Sequence, residues 1–248
     1  MKKFKKLIPA FCMLLISAVL MGTSTFAWFS MNTSVTATGM QVKAATSQNL
    51  VISNTENGTF GTTAAADTAA QASMFPATSA DGVAFAKNNK PSKAYNDSAI
   101  DNLSTTDLET VEATNTTYVF TDTFYIKSEG SNFASLYINN ITVTNATDNL
   151  AKSLRVAVKL DNGTTYIYAP VSGATTSYSG GKNLTAVTLS PLKNADESSP
   201  SLGTVTSTAK AVTVYIWFEG QDESCTSENA AIQTSNYSVD IEFIASAT

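Results

Sequence analysis

Histidine is missing from all 248 residues, arginine appears once, as Arg155, and cysteine twice, as Cys12 and Cys225. The lack of histidine excludes a His-Glu-x-x-His zinc site and any nucleophile activated through a Ser-His or Cys-His pair. A single arginine in a chain of formal charge −5 excludes the clustered cations that phosphate backbones require, so nucleic acid is not an expected partner. Long apolar runs are equally scarce. The one in the sequence, residues 7–21, falls short of the ~20 apolar residues that span a bilayer.

That run follows "KKFKK" at residues 2–6 and precedes "TFA" at residues 25–27, the basic, apolar, small-residue order of a secretory signal peptide. Cleavage is expected between Ala27 and Trp28, with a retained single-pass anchor as the alternative. Removing residues 1–27 leaves 221, takes four of the fifteen basic side chains and none of the twenty acidic ones, and gives a secreted product of charge −9 with no membrane segment. Only Cys225 remains, so no intrachain disulfide is available. Stability must come from a core, and 221 residues can bury a sizeable one.

What is present is strand-like alternation. In "LRVAVKLDNGTTYIYAP" (154–170), Leu154, Val156, Val158 and Leu160 share one face while Arg155, Ala157, Lys159 and Asp161 share the other. Asn162-Gly163 predicts a two-residue type I′ hairpin. Asp161 then pairs with Thr164, Val158 with Ile167 and Val156 with Ala169, which turns Tyr166 and Tyr168 outward. Further strands are expected at 118–127, 133–144, 184–190, 211–218 and 237–244, the last with Tyr237, Val239, Ile241 and Phe243 facing inward. Short strands separated by Gly, Asn, Ser and Pro predict an all-β, antiparallel β-sandwich over residues 46–248. Residues 54–116 break the alternation. "TTAAADTAAQASM" is alanine-rich, and "TTDLETVE" has a capping-box spacing from Thr106 to Glu109. This region is therefore expected to be a long insertion carrying one or two short helices.

Residues 28–45 form an N-terminal strand segment. Phe29, Met31, Thr33, Val35 and Ala37 alternate with polar neighbours, and Gly39 shifts the phase by one as a β-bulge does. The segment is either the first strand of its own domain or a strand for another subunit's sheet. The junction "FAWFSMNTSVTATGMQVKA" followed by "LVIS" resembles the TasA and camelysin family of secreted Gram-positive proteins. The late "VYIWFEGQDESC" and "YSVDIEFI" also resemble the C-terminal part of TasA-like proteins. The matches cover about sixty of the 248 residues. The resemblance implies a jelly-roll sandwich, release by a dedicated signal peptidase, and assembly into extracellular biofilm-matrix fibres by donor-strand complementation. Trp28, Phe29, Met31, Val35 and Ala37 would then be the donated row, with a minor or anchoring matrix subunit as a further partner.

The same family has been classed as metallopeptidases, but the missing histidine argues against an enzyme. Ser207 and Lys210 in "STAK" have Ser-x-x-Lys spacing without the helix start or companion motifs that chemistry needs. "GGKN" at 180–183 lacks the rest of a phosphate loop. Glu219, Asp222 and Glu223 place three carboxylates in one loop, a calcium candidate set against the plainer alternative of an exposed acidic turn. No cofactor is otherwise expected. Cys225 is a loop or packing residue, or a thiol for cross-linking subunits. Two functions stay open: a secreted structural subunit of matrix fibres, and a monomeric sandwich binding carbohydrate or an adhesive target, with Tyr166 and Tyr168 as stacking residues.

Overall fold

The computed structural model describes residues 41–44, 50–67, 74–90, 104–175, 187–226, 229 and 236–246. The expected cleavage site Ala27/Trp28 and the strand residues Phe29, Met31, Val35 and Ala37 lie outside the described residues. The strands are β1 (Gln41–Ala44), β2 (Leu50–Ser53), β3 (Thr63–Ala65), β4 (Phe85–Asn88), β5 (Leu108–Val111), β6 (Phe120–Ser128), β7 (Phe133–Thr144), β8 (Leu154–Leu160), β9 (Thr165–Tyr168), β10 (Gly203–Val205), β11 (Lys210–Phe218) and β12 (Ser238–Ser246). One five-stranded sheet runs β10-β7-β12-β1-β3 and a second runs β2-β6-β11-β8-β9, with β4 and β5 paired apart from both. The described ladders are antiparallel except β1 with β12, which is parallel.

Alternation explains why the two sheets meet. Phe124 and Ile126 of β6, Val212, Val214 and Ile216 of β11, and Val156 and Val158 of β8 point inward from the second sheet. Leu136, Ile138 and Ile141 of β7 and Val239, Ile241 and Phe243 of β12 point inward from the first, and all belong to one buried cluster. This is the arrangement of a β-sandwich. The inward row expected for residues 237–243 is borne out, Tyr237 through Phe243 being at most 1 % exposed at alternate positions. In β7 the period breaks between Ile138 and Ile141. There the ladder to β12 shifts by one, Glu242 pairing with Asn140 and Phe243 with Ile138. Asn139 is the extra residue of a β-bulge, and it returns Ile141 to the core side.

The outer face of the second sheet is also dry. Ala77, Phe85 and Val111 pack on Ala157, Ile167 and Trp217 in a second apolar cluster, with Phe85 edge-on to Trp217 at 5.2 Å between ring centroids. A third layer therefore covers the face on which Arg155 and Ala157 alternate, and both are completely buried. Contact is closest at Gly82, whose φ is +72° and where a Cβ would stand 2.7 Å from that of Ala157. Asp81 holds this turn by accepting the Val83 and Ala84 amides. Gly82→Ala is expected to destabilise by about 1–3 kcal/mol through overpacking against the sheet. Hydrogen exchange should quicken first in residues 77–88; faster exchange confined to the sandwich core would contradict this.

The hairpin at Asn162-Gly163 differs from expectation by one register. Val156 pairs with Tyr168, Ala157 with Ile167 and Val158 with Tyr166. Asp161, not Asn162, takes positive φ, 46°. Its amide donates to Ala211 O at 2.7 Å and its Oδ1 accepts the Ala211 amide at 2.8 Å. The neighbouring strand thus captures Asp161 and lengthens the loop, and a one-residue slip sends every later side chain to the opposite face. Ile167 joins the outer cluster, while Tyr166 and Tyr168 turn toward the core. The Tyr168 hydroxyl is buried with no hydrogen-bond partner among the described residues, and burial raises its pKa. Tyr168→Phe is accordingly expected to be neutral or to stabilise by up to about 1 kcal/mol, measurable as a urea-midpoint shift; a clear loss would mean that the hydroxyl has a partner.

The expected helices are corrected where the described residues reach, residues 68–73 of the alanine-rich stretch lying outside them. Thr63–Ala65, within the alanine-rich stretch, is β3, because pairing with β1 overrides a weak local propensity. At the capping-box motif a single 3-10 turn, Thr105–Asp107, leads directly into β5. Asp107 Oδ2 reaches back to the Ser104 amide, so the cap forms two residues early. Glu109 instead pairs across the strands with Lys87 at 3.5 Å. Of the strand expected at 184–190, residues 187–190 form no ladder; the Ser190 amide donates to Ile167 O and Val187 joins the outer cluster.

Candidate functional site

The chain leaves β11 in "FEGQDESC", and the loop folds back under the outer layer. Backbone pairing fixes its start: the Ala77 amide donates to Phe218 O at 3.0 Å and the Gly220 amide to Ala77 O at 2.8 Å, while the Glu219 amide donates to Ser153 O. Glu219 is completely buried and Asp222 1 % exposed. Glu223 is exposed. The three carboxylates expected to share an exposed turn therefore do not converge.

Glu219 Oε2 accepts the Ser79 amide at 3.3 Å and Trp217 Nε1 at 3.1 Å, and Oε1 accepts the Gln221 amide at 3.1 Å. Burial raises its pKa, opposed by the hydrogen bonds from Trp217, the Gln221 backbone amide and Thr78 and by the charge of Arg155. Asp222 is matched by a full cation. Arg155 Nη2 lies 2.6 Å from Asp222 Oδ2 and 3.1 Å from Thr175 O, and Nη1 donates to Lys152 O and Leu154 O. Asp222 also accepts the Thr175 amide at 2.9 Å and the amide and hydroxyl of Ser224. The ion pair thus fixes the 3-10 turn Leu150–Ser153, β8, the loop at Thr175 and the loop after β11 together.

For calcium this donor set fits poorly. The lone pairs of Glu219 and Asp222 face N–H groups and a guanidinium, and a divalent cation would stand beside the fixed charge of Arg155. Among the described residues no three carboxylate or thiol groups gather as ligands. Ser207 sits on an exposed bend and Lys210 opens β11, so no helix start presents them together.

Cys225 is 3 % exposed and belongs to the core cluster, which agrees with a packing residue and not with the alternative of a cross-linking thiol. Burial pushes its thiol up to about 12, with Ser153 and Arg155 opposing and Glu219 and Asp222 adding. In the native protein a soluble disulfide reagent at pH 8 is expected to label Cys225 only as fast as the chain unfolds, because reaction needs the thiolate. Rapid stoichiometric labelling would show the loop to be open. The raised value also makes native stability fall as pH climbs from 9.0 toward about 12, since only the unfolded thiol ionises there.

The buried Arg155 network escaped sequence reasoning, which placed Arg155 on an open polar face. The available signal was its solitude: a lone arginine between valines and leucines has no patch to serve and invites a buried partner. No family model, no curated protein and no solved structure matches this chain.

Proposed function

We propose that the protein is a secreted structural subunit of extracellular matrix fibres, a jelly-roll-like sandwich that assembles by giving residues 28–38 to the sheet of the next subunit. The observation that carries this is the position of β1. It lies between β12 and β3, Gln41 opposite Asp240 on one side and Ala65 on the other. β1 begins at Gln41, just after the segment that carries Phe29, Met31, Val35 and Ala37, which lies outside the described residues. That apolar row suits another subunit's sheet, where main-chain hydrogen bonds supply affinity and alternate side chains fill pockets.

The two edges of the second sheet also fit a regulated assembly. β2 is closed over by Gly61, which exchanges both backbone hydrogen bonds with Ile52, and β9 by the Ser190 amide. Covered edges suppress indiscriminate pairing. A monomeric carbohydrate-binding sandwich has less support, because Tyr166 and Tyr168 face the core. Electron microscopy of mature protein tests the proposal. Filaments are expected; monodisperse globules under all conditions of pH and concentration would end it.

A further inference from the structure

One more pair of side chains crosses the seam between the outer layer and the second sheet. Thr78 is 6 % exposed, and its Oγ1 lies 2.5 Å from Gln221 Nε2. The backbone bridge of Ala77 with Glu219 holds the two residues in register. Glu219 lies beside both, hydrogen-bonded to the Thr78 hydroxyl and accepting the backbone amide of Gln221. A hydroxyl, a primary carboxamide and a carboxylate therefore lie together at this seam, Thr78 and Glu219 buried and Gln221 half-buried. We propose that Thr78 and Gln221 become joined by an intramolecular ester bond, formed once after folding, with Glu219 as the general base.

The exchange balances without any cofactor or oxidant. Glu219 takes the hydroxyl proton as Thr78 Oγ1 attacks Gln221 Cδ. The tetrahedral intermediate collapses with cleavage of Cδ–Nε2, whose electron pair leaves on nitrogen, and Glu219 passes the proton to that nitrogen. A hydroxyl and a carboxamide become an ester and ammonia, and Glu219 ends in the protonation state in which it began. A base must reach the proton it removes, and here it does. Desolvation strengthens Glu219 as a base, the same burial that raises its pKa. Holding the reacting groups in contact replaces an encounter in solution. Escape of ammonia into bulk water past the half-buried Gln221 carries the exchange forward, and the burial of Thr78 and Glu219 limits the approach of water to the ester.

The bond would tie positions 78 and 221 across everything from β4 to β11, and so pin the outer layer irreversibly. It is independent of fibre assembly and is tested on the isolated subunit.

Intact-mass measurement of the folded full-length protein is expected to find it one ammonia lighter than its sequence mass. A digest should contain a branched peptide joining the segments of Thr78 and Gln221, and hydroxylamine should split it. Asn57-Gly58 and Asn162-Gly163 can also lose ammonia by succinimide formation, so variants separate the sources. Thr78→Ala and Glu219→Gln are expected at full mass, while Thr78→Ser retains the loss because it keeps the nucleophile. A wild-type chain that melts cooperatively yet keeps its full mass after long incubation at neutral pH overturns the proposal. So does a mass loss that is undiminished in Thr78→Ala, or a branched peptide absent from the wild-type digest. Should Thr78→Ala fail to fold, the wild-type peptide map and hydroxylamine reaction decide alone.

Discussion

Arg155→Met is expected to lower native stability by about 3–5 kcal/mol, because it leaves the side chain of Asp222 1 % exposed and without its cation. Such a loss rivals the lower end of the ~5–15 kcal/mol that holds a typical domain folded, so the variant should be poorly soluble or unfolded near body temperature. The contact at 2.6 Å is not itself worth that much. Most of the penalty is the stranded charge, and the double variant Arg155→Met/Asp222→Leu should therefore recover a large part of it. Recovery stays incomplete, since the Thr175 and Ser224 amides lose their acceptor. Urea midpoints of the three proteins at unchanged slope provide the measurement. A single variant within about 1 kcal/mol of the parent would mean that water reaches Asp222.

Val35→Asp is expected to abolish filaments while leaving the subunit folded. In a donated strand Phe29, Met31, Val35 and Ala37 fill a groove on the neighbour, and a carboxylate among them must either be buried unpaired or block insertion. Deleting residues 28–38 should act in the same way, because β1 with its ladders to β12 and β3 remains. A strand internal to the subunit gives the opposite result. Its removal would strip several apolar side chains from the core at about 1.5–3 kcal/mol each, and the truncated chain would aggregate. Adding a synthetic 28–38 peptide to the truncated protein should give saturable binding and a raised melting temperature. A truncated protein that still forms filaments, or one that cannot fold, removes the case for donation.

The sandwich was legible wherever one face of a strand is dry and the other wet. Residues 237–244 and 133–144 belong to that class, and their strands fall where alternation puts them. Reading failed where a second dry face was present. Arg155 and Ala157 look like an exposed row in "LRVAVKL", and nothing local to β8 announces that Phe85 and Val111, far away in sequence, will cover them. The hairpin failed for a related reason. Asn-Gly is a sound local turn signal, but Asp161 has both its amide and its carboxylate engaged by Ala211 of β11, a partner invisible to a window of four residues. The acidic loop was located correctly in the chain and misjudged in depth. Three carboxylates in five positions suggest solvent, and only the third dimension supplies the cation, the indole and the backbone amides that allow two of them to sit inside.

The setting of β1 has a mechanical consequence. Gln41–Ala44 is held on one flank by four parallel pairings to β12 and on the other by three antiparallel pairings to β3. A pull on Gln41 along the strand axis loads the hydrogen bonds of both flanks together in shear. Unzipping, in which bonds break in succession under a small force, would require a pull across the sheet. Tension entering the subunit at this end therefore meets its stiffest direction, and the load passes straight to β12 and through it to β7, the longest strand of the sandwich.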